Sequence, residues 1–148
     1  MRISSKGRYG LAAMIGVAQL GSTGEFVTVI SIAEKLGISK IYLEQVFSLL
    51  KRSKLVNSVK GSQGGYQLSK PADRITALEI LQAVEISLFE QTEKSVSEQV
   101  AEVENTLRTL IWDRLDNSLA KVLQEVTLAD LVTEAEKNKS GENFMFYI

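Results

Sequence analysis

Between Ser39 and Tyr66 the spacing of apolar residues changes from the period of a helix to that of a strand, and this limits what can be built around it. Leu43, Val46, Phe47 and Leu50 recur three and four residues apart and so line one face of a helix, with Ser39 placed as its N-cap. A strand over Leu55–Val59 follows, then the tight turn Lys60-Gly61-Ser62-Gln63-Gly64-Gly65 and a returning strand over Tyr66–Ser69. Away from the apolar face the helix carries Tyr42, Glu44, Gln45 and Ser48. Lys51, Arg52 and Lys54 gather at its C-terminal end, where cations also suit the helix dipole. A helix of this kind can read base edges from its first turns and hold phosphates with its last. The pair therefore reads as a recognition helix and a wing.

Upstream, Ser4 or Ser5 caps a helix to about Leu20 whose core face is Leu11, Met14, Ile15 and Ala18. Lys6 and Arg8 fall in its first turn, against the dipole preference, a small cost that a nearby phosphate would offset; two solvated cations account for them equally well. Phe26-Val27 is a short extended piece, and Thr28 or Ser31 caps a second helix through Ile32, Ala33 and Leu36, which Gly37 ends. Gly37-Ile38-Ser39 is then a three-residue turn between short helices, the connection of a helix-turn-helix.

Downstream, Pro71 closes the hairpin and Thr76-Ala77-Leu78-Glu79 has the form of a capping box, opening a helix with Ile80, Leu81 and Val84 on one side. Residues 87–95 read as a linker. From Val96 to Val126 apolar residues keep helical spacing, among them Val100, Val103, Leu107, Leu110, Ile111, Leu115, Leu119 and Val122. A helix of that length spans about 45 Å and outruns the small domain beside it. Its stripe is most simply covered by a second copy in an isologous dimer, a fold-back near Asn105 being the alternative. A short helix from Thr127 to about Lys137 and a polar connector lead to the tail Phe144-Met145-Phe146-Tyr147-Ile148. The expected architecture is mainly α: a winged helix-turn-helix with a small β-wing over 1–86, the linker 87–95, dimerisation helices over 96–137 and the tail 138–148.

Charge divides along the same line. Residues 1–70 hold ten Lys/Arg against three Glu, whereas residues 71–148 hold seven against fifteen Asp/Glu, so a basic half that can meet a polyanion faces an acidic half. The chain contains no cysteine and no histidine, which removes disulfides, thiolate metal sites and the usual nitrogen ligand, and no metal or cofactor is expected. No apolar run is long enough to span a membrane and the N-terminus lacks a signal core, so a cytoplasmic location is the expectation. Nor is an enzyme expected: no nucleophile and base pair is evident, and Gly61-Ser62-Gln63-Gly64-Gly65 fits neither phosphate-loop spacing.

Several short motifs then converge. Ser5-Lys6-Gly7-Arg8-Tyr9-Gly10, Gly37-Ile38-Ser39, Tyr42-Leu43-Glu44-Gln45, Val59-Lys60-Gly61, Gly64-Gly65-Tyr66 and Thr127-Leu128-Ala129-Asp130-Leu131 resemble the Rrf-type winged-helix repressors, a family that includes iron–sulfur cluster regulators and repressors of cysteine metabolism. The resemblance covers residues 1 to about 86 and resumes near Leu110-Ile111-Trp112. It implies a homodimer with crossed long helices, each subunit presenting one winged helix-turn-helix to a palindromic operator in double-stranded DNA. On that footing Gln45 bonds an adenine edge, Glu44 accepts from cytosine, and Tyr42 and Ser39 touch phosphate or a thymine methyl, the alternatives being solvated helix surface for Glu44 and Gln45, partial core burial for Tyr42 and capping alone for Ser39. Ser48 lies along the same surface. Lys51, Arg52, Lys54, Lys6 and Arg8 meet phosphates or serve as solubilising charge, and Gly61 and Gly64 shape the wing.

This chain departs from the family at two places. Cluster-binding members carry three cysteines between the fourth helix and the long helix, and residues 86–100 here carry none, so no cluster is expected. Lys60 stands where members usually place an arginine in the minor groove; lysine keeps the charge without the planar fork. The tail is similar to that of the cysteine-metabolism repressors, which partner with cysteine synthase, an enzyme whose active site accepts a C-terminal isoleucine carboxylate. Phe146, Tyr147 and Ile148 are the expected contacts, with packing of the rings on the dimer as the alternative. The implied function is repression of cysteine and sulfur metabolism. Alternatives are regulation of another pathway through a small ligand, or a winged helix that binds only protein.

Overall fold

The computed structural model describes residues 1–61 and 64–146, the last five of these by backbone alone. Its first helix, α1 (Ser5–Leu20), begins where the Ser4 hydroxyl accepts the Gly7 N–H. The face it buries is Gly7, Gly10, Ala13, Met14, Gly16 and Val17, while Leu11, Ile15 and Ala18, expected at the core, lie half-buried beside that face. The cause is the closeness of α4 (Ala77–Val84). A Cβ added to Gly10 would stand 2.7 Å from a Val84 methyl, and one on Gly7 would stand 2.4 Å from Glu85 Oε2. Spacing alone favours large residues for a core face, but here the helices meet where side chains are missing.

Glu85 fixes that contact. It is buried at the C-terminal end of α4, and its carboxylate accepts from the Ser4 backbone N–H at 3.1 Å and from the Ser4 hydroxyl. A buried carboxylate needs such donors, and the unpaired N–H groups of a helix start supply them. The other end of α4 is held by a full capping box between Thr76 and Glu79, with Lys70 Nζ 2.8 Å from Glu79 Oε2. Burial pushes the Glu79 carboxyl up, but the hydrogen bonds from Lys70 and Thr76 outweigh it and hold the group below the usual carboxylate range.

Helix α2 (Val29–Leu36) is capped by Thr28 and ends at Gly37, whose φ of 67° lies in the left-handed region that favours glycine. Ser39 then accepts the Tyr42 N–H at 3.2 Å to start α3 (Lys40–Arg52), and Leu43, Val46, Phe47 and Leu50 are fully buried, as the spacing required. Strands β1 (Val56–Val59) and β2 (Gly65–Leu68) pair antiparallel with Val56 opposite Leu68 and Val59 opposite Gly65. Val27 extends this small sheet by exchanging backbone bonds with Tyr66 at 2.7 and 2.8 Å. Gly65 sits against that bridge, where a Cβ would lie 2.3 Å from the Val27 carbonyl oxygen. This is a winged helix-turn-helix, mainly helical with a two-stranded wing.

Beyond α4, a short turn over Ile86–Phe89 and an extended segment lead to the long helix, which starts after a turn at Glu98–Val100 and not at Val96. Glu104 explains the delay. Its buried carboxylate reaches back to accept the Ser95 N–H at 2.6 Å and the Val96 N–H at 3.4 Å, tying residues 95 and 96 to the helix side in place of helical bonds. Helices α5 (Ala101–Leu107) and α6 (Asp113–Gln124) are joined by a π-helical turn over Arg108–Trp112, so the rod is continuous and does not fold back at Asn105.

Helix α7 (Leu128–Phe146) opens with reciprocal hydrogen bonds between Thr127 and Asp130, both 3.0 Å. It runs on through residues 138–143, expected to form a connector. That stretch holds no proline, and one glycine costs a helix only about 1 kcal/mol. Leu128 is fully buried in the same core as α1 and α3, and α7 lies along α1, where Gln19 donates to Glu136 at 2.9 Å. Ala77 N–H to the Val126 carbonyl (2.8 Å) and Leu128 N–H to the Ile75 carbonyl (2.7 Å) stitch the chain back to the start of α4. The start of α7 thus packs on the core formed by α1 and α3. Among the described residues no helix is long and apolar enough to cross a membrane.

The α1–α4 contact predicts that Gly10→Ala destabilises the fold by about 1–3 kcal/mol, the usual cost of overpacking. Gly141→Ala, where an added Cβ meets nothing within 4 Å, is expected to be neutral or stabilising by up to about 1 kcal/mol. Urea unfolding of the two variants checks both signs.

Candidate nucleic-acid interface

Two aromatic contacts fix the recognition helix. The Tyr9 ring meets Tyr42 edge to face, centroids 4.8 Å apart, joining α1 to α3. Tyr66 of the wing stacks on Phe47 at 4.4 Å. Such pairs contribute about 0.5–1.5 kcal/mol beyond the area they bury. Burial, and then the charge of Glu44, push the Tyr66 phenol above its ordinary value. Glu44 thus lies within electrostatic reach of the wing.

With the core face turned inward, α3 presents Ile41, Glu44, Gln45, Ser48, Lys51 and Arg52 to solvent. Tyr42 is half-buried by its contact with Tyr9, and Ser39, though exposed, has its hydroxyl engaged in the cap. Lys40 reaches Glu44 at 3.7 Å, an exposed pair of small energetic weight that still orients the carboxylate. Lys40 and Ile41 attract no notice in the sequence, because neither breaks a pattern; their neighbours in space mark them.

Lys51, Lys54 and Lys60 converge on one groove with Val56, Asn57 and Ser58, between the end of α3 and the wing. Three ammonium groups and no carboxylate line it. Lys54 holds a left-handed φ of 61°, unusual for a residue with a side chain. The strain accompanies a chain reversal in which Leu55 N–H bonds back to the Leu50 carbonyl at 3.0 Å and Lys54 N–H to Lys51 at 2.9 Å. Gly61 has a φ of 129°, and its carbonyl accepts the Gly64 N–H at 3.0 Å, closing the wing. Ser62 and Gln63 lie outside the described residues.

On the other side of α3, Lys6 shares a groove with Ser5 and Tyr42. Arg8 is exposed and donates to the Ser5 hydroxyl at 3.1 Å. Lys6 and the three-lysine groove therefore flank α3 on two sides. Along the rod, from the turn before α5 through the π-helical turn to α6, Val100, Val103, Leu110, Ile111, Leu115 and Val122 stand exposed, the last three at 43%, 59% and 61%, while Leu107 and Leu119 are half-buried. Leu110, Ile111 and Leu115 line a shallow groove with Arg114 and Ser118. Of the tail contacts expected from sequence, Tyr147 and Ile148 and the side chain of Phe146 lie outside the described residues.

Comparison with known proteins gives the family and the fold. Residues 3–134 match the Rrf2 family, described as "Iron-dependent Transcriptional regulator". The HTH-type transcriptional regulator CymR of Bacillus subtilis is 37% identical over 150 aligned positions, covering all of both chains. The HTH-type transcriptional regulator IscR of Erwinia tasmaniensis is 40% identical over 136, covering 92% of this chain and 81% of that one. Among solved structures, that of CymR, described as the global cysteine regulator of B. subtilis, superposes with a TM-score of 0.72 at 36% identity, covering 90% of this chain and 98% of that one. T. potens IscR superposes at 0.71 and 33%, covering 93% and 90%.

The family's description raises iron, and the donor set decides the fit. Iron–sulfur clusters are held by cysteine thiolates, with histidine as the occasional substitute, and this chain has neither residue. Among the described residues no group of three or more acidic side chains is arranged to hold a metal ion. The residues present do not fit such a centre.

Proposed function

The chain belongs to the Rrf2 family of transcriptional regulators, and from that premise we propose that it is a cytoplasmic homodimeric repressor of palindromic operators, works without an iron–sulfur cluster, and controls cysteine and sulfur metabolism. One observation carries the DNA-binding part: the exposed polar face of α3 is bracketed by Lys6 on one side and by the three-lysine groove on the other. In the proposed complex Gln45 and Glu44 face base edges, Ser48, Tyr42 and Ser39 lie along the same groove, and Lys51, Arg52, Lys54, Lys6 and Arg8 neutralise phosphates. Lys60, with Gly61 and Gly64 shaping the turn, places one cation in the adjacent minor groove. No catalytic role is assigned.

The dimer is supported by the exposed stripe along the rod. Six large apolar side chains, from Val100 to Val122, are uncovered by their own subunit, and a self-complementary contact along the rod would bury them. The link to cysteine metabolism is supported by end-to-end similarity to a regulator described in those terms. On this basis Phe146, Tyr147 and Ile148 dock into cysteine synthase.

Three outcomes are expected. Gel-shift titration over a series of salt concentrations gives affinity that falls steeply with salt, and Lys60→Ala reduces the log–log slope by about 1; an unchanged slope removes the wing from the interface. Leu115→Glu shifts the sedimentation coefficient from dimer to monomer at micromolar concentration, and a wild-type chain that already sediments as a monomer overturns the rod contact. Deleting Tyr147 and Ile148 abolishes capture of purified cysteine synthase; retention at wild-type affinity ends that assignment.

A further inference from the structure

Ile41 has no structural employment. It lies in the first turn of α3 and is 73% exposed, the highest exposure among the large apolar side chains of the described residues after Met1. At 3.6 residues per turn it points about 170° away from the centre of the buried face. From it, Gln45, Ser48 and Arg52 follow at spacings of four, three and four, all exposed, making one straight stripe along α3. The stripe runs from an alkyl group through an amide and a hydroxyl to a guanidinium over about 16 Å of helix axis. Single exposed apolar residues are common on protein surfaces. This one stands at the leading end of a polar stripe, between cationic flanks, and as a β-branched residue it is a poorer helix former than the alanine that would serve a neutral surface.

We propose that Ile41 reads a base by packing against the 5-methyl group of a thymine in the major groove. The inference rests on α3 being the recognition helix. Of the groups that base pairs display in that groove, the thymine methyl is the one apolar group that projects; apart from the small C5–H of cytosine the others are hydrogen-bond donors and acceptors. An isoleucine set against N7, O6 or an exocyclic amine would strip water from a polar edge without replacing its bond, an unfavourable exchange. Against a methyl, both partners lose only apolar hydration. Lys40 and Glu44, paired at 3.7 Å on the adjoining side of the helix, leave the alkyl surface of Ile41 uncovered. Ile41 would then specify one base pair per half-site, beside the position read by Gln45.

The test uses the full chain and duplexes that it selects from a randomised pool. Each thymine of the selected site is replaced singly by deoxyuridine, which removes the methyl and nothing else. Wild type is expected to lose about three- to five-fold in affinity at one thymine per half-site, the worth of one buried methyl. Ile41→Ala, which alters no core contact, binds the thymine and uracil forms equally at that position, and Ile41→Val keeps most of the discrimination. Uracil penalties that are the same in Ile41→Ala as in wild type at every position overturn the proposal. Selection with Gln45→Ala separates the two levels. If it changes the chosen bases while Ile41→Ala does not, the methyl contact alone is wrong; if neither variant changes them, α3 is not the reading element and both readings fall.

Discussion

The contact on which the rest of this structure depends is the close approach of α1 and α4 at Gly7 and Gly10, locked by the Glu85 carboxylate over the Ser4 cap. It removes side chains from the interface so that two helices can share one narrow layer, and it satisfies a buried charge with the N–H and hydroxyl of a helix start. Its reach is wide. The N-terminal turn of α1 carries Lys6 and Arg8, Tyr9 of the same helix sets the orientation of Tyr42 on α3, and the chain leaves α4 for the rod at the residue after Glu85. The start of α1 and, through Tyr9, helix α3 are both referenced to one joint.

Around that joint the chemistry is segregated. The helix that faces outward with Gln45, Ser48 and Arg52 has its inner face wholly in the core, with Tyr66 of the wing stacked on its Phe47. Cations collect in a groove free of carboxylates at the end of α3, whereas the acidic residues are concentrated in the second half of the chain. A carboxylate-free groove of cations is a local attractor for a polyanion whatever the net charge of the chain. The two aromatic pairs hold α3 from both sides, against α1 through Tyr9 and against the wing through Tyr66.

The rod has two kinds of apolar surface. Leu107, Leu119 and Leu123 are half-buried, α6 packing on α4, while Leu110, Leu115 and Val122 look away from it. Just past the rod the chain turns inward again. Leu128 enters the core, and backbone bonds at Ile75 and Ala77 close a loop of some fifty residues onto the start of α4. The rod is thus held to the winged domain at its C-terminal end, where α6 packs on α4 and the chain bonds back to Ile75 and Ala77.

Much of this was legible in the chain itself, and the reason is local physics. The caps at Ser39 and Thr76, the stop at Gly37, the core face of α3 and the hairpin were legible because each depends on residues within a turn of one another, and the structure chooses Thr28 over Ser31 as the cap of α2. The donor chemistry was equally plain, since a chain without cysteine or histidine lacks cluster ligands however it folds. What sequence spacing misplaced was decided by contacts distant along the chain. The core face of α1 belongs to glycines because α4, seventy residues on, presses against them; the long helix starts late because Glu104 bonds Ser95 and Val96; Leu128 is core because a backbone bridge returns it to Ile75. Ile41 belongs with these, an ordinary isoleucine in the sequence that only the packing of α3 turns outward.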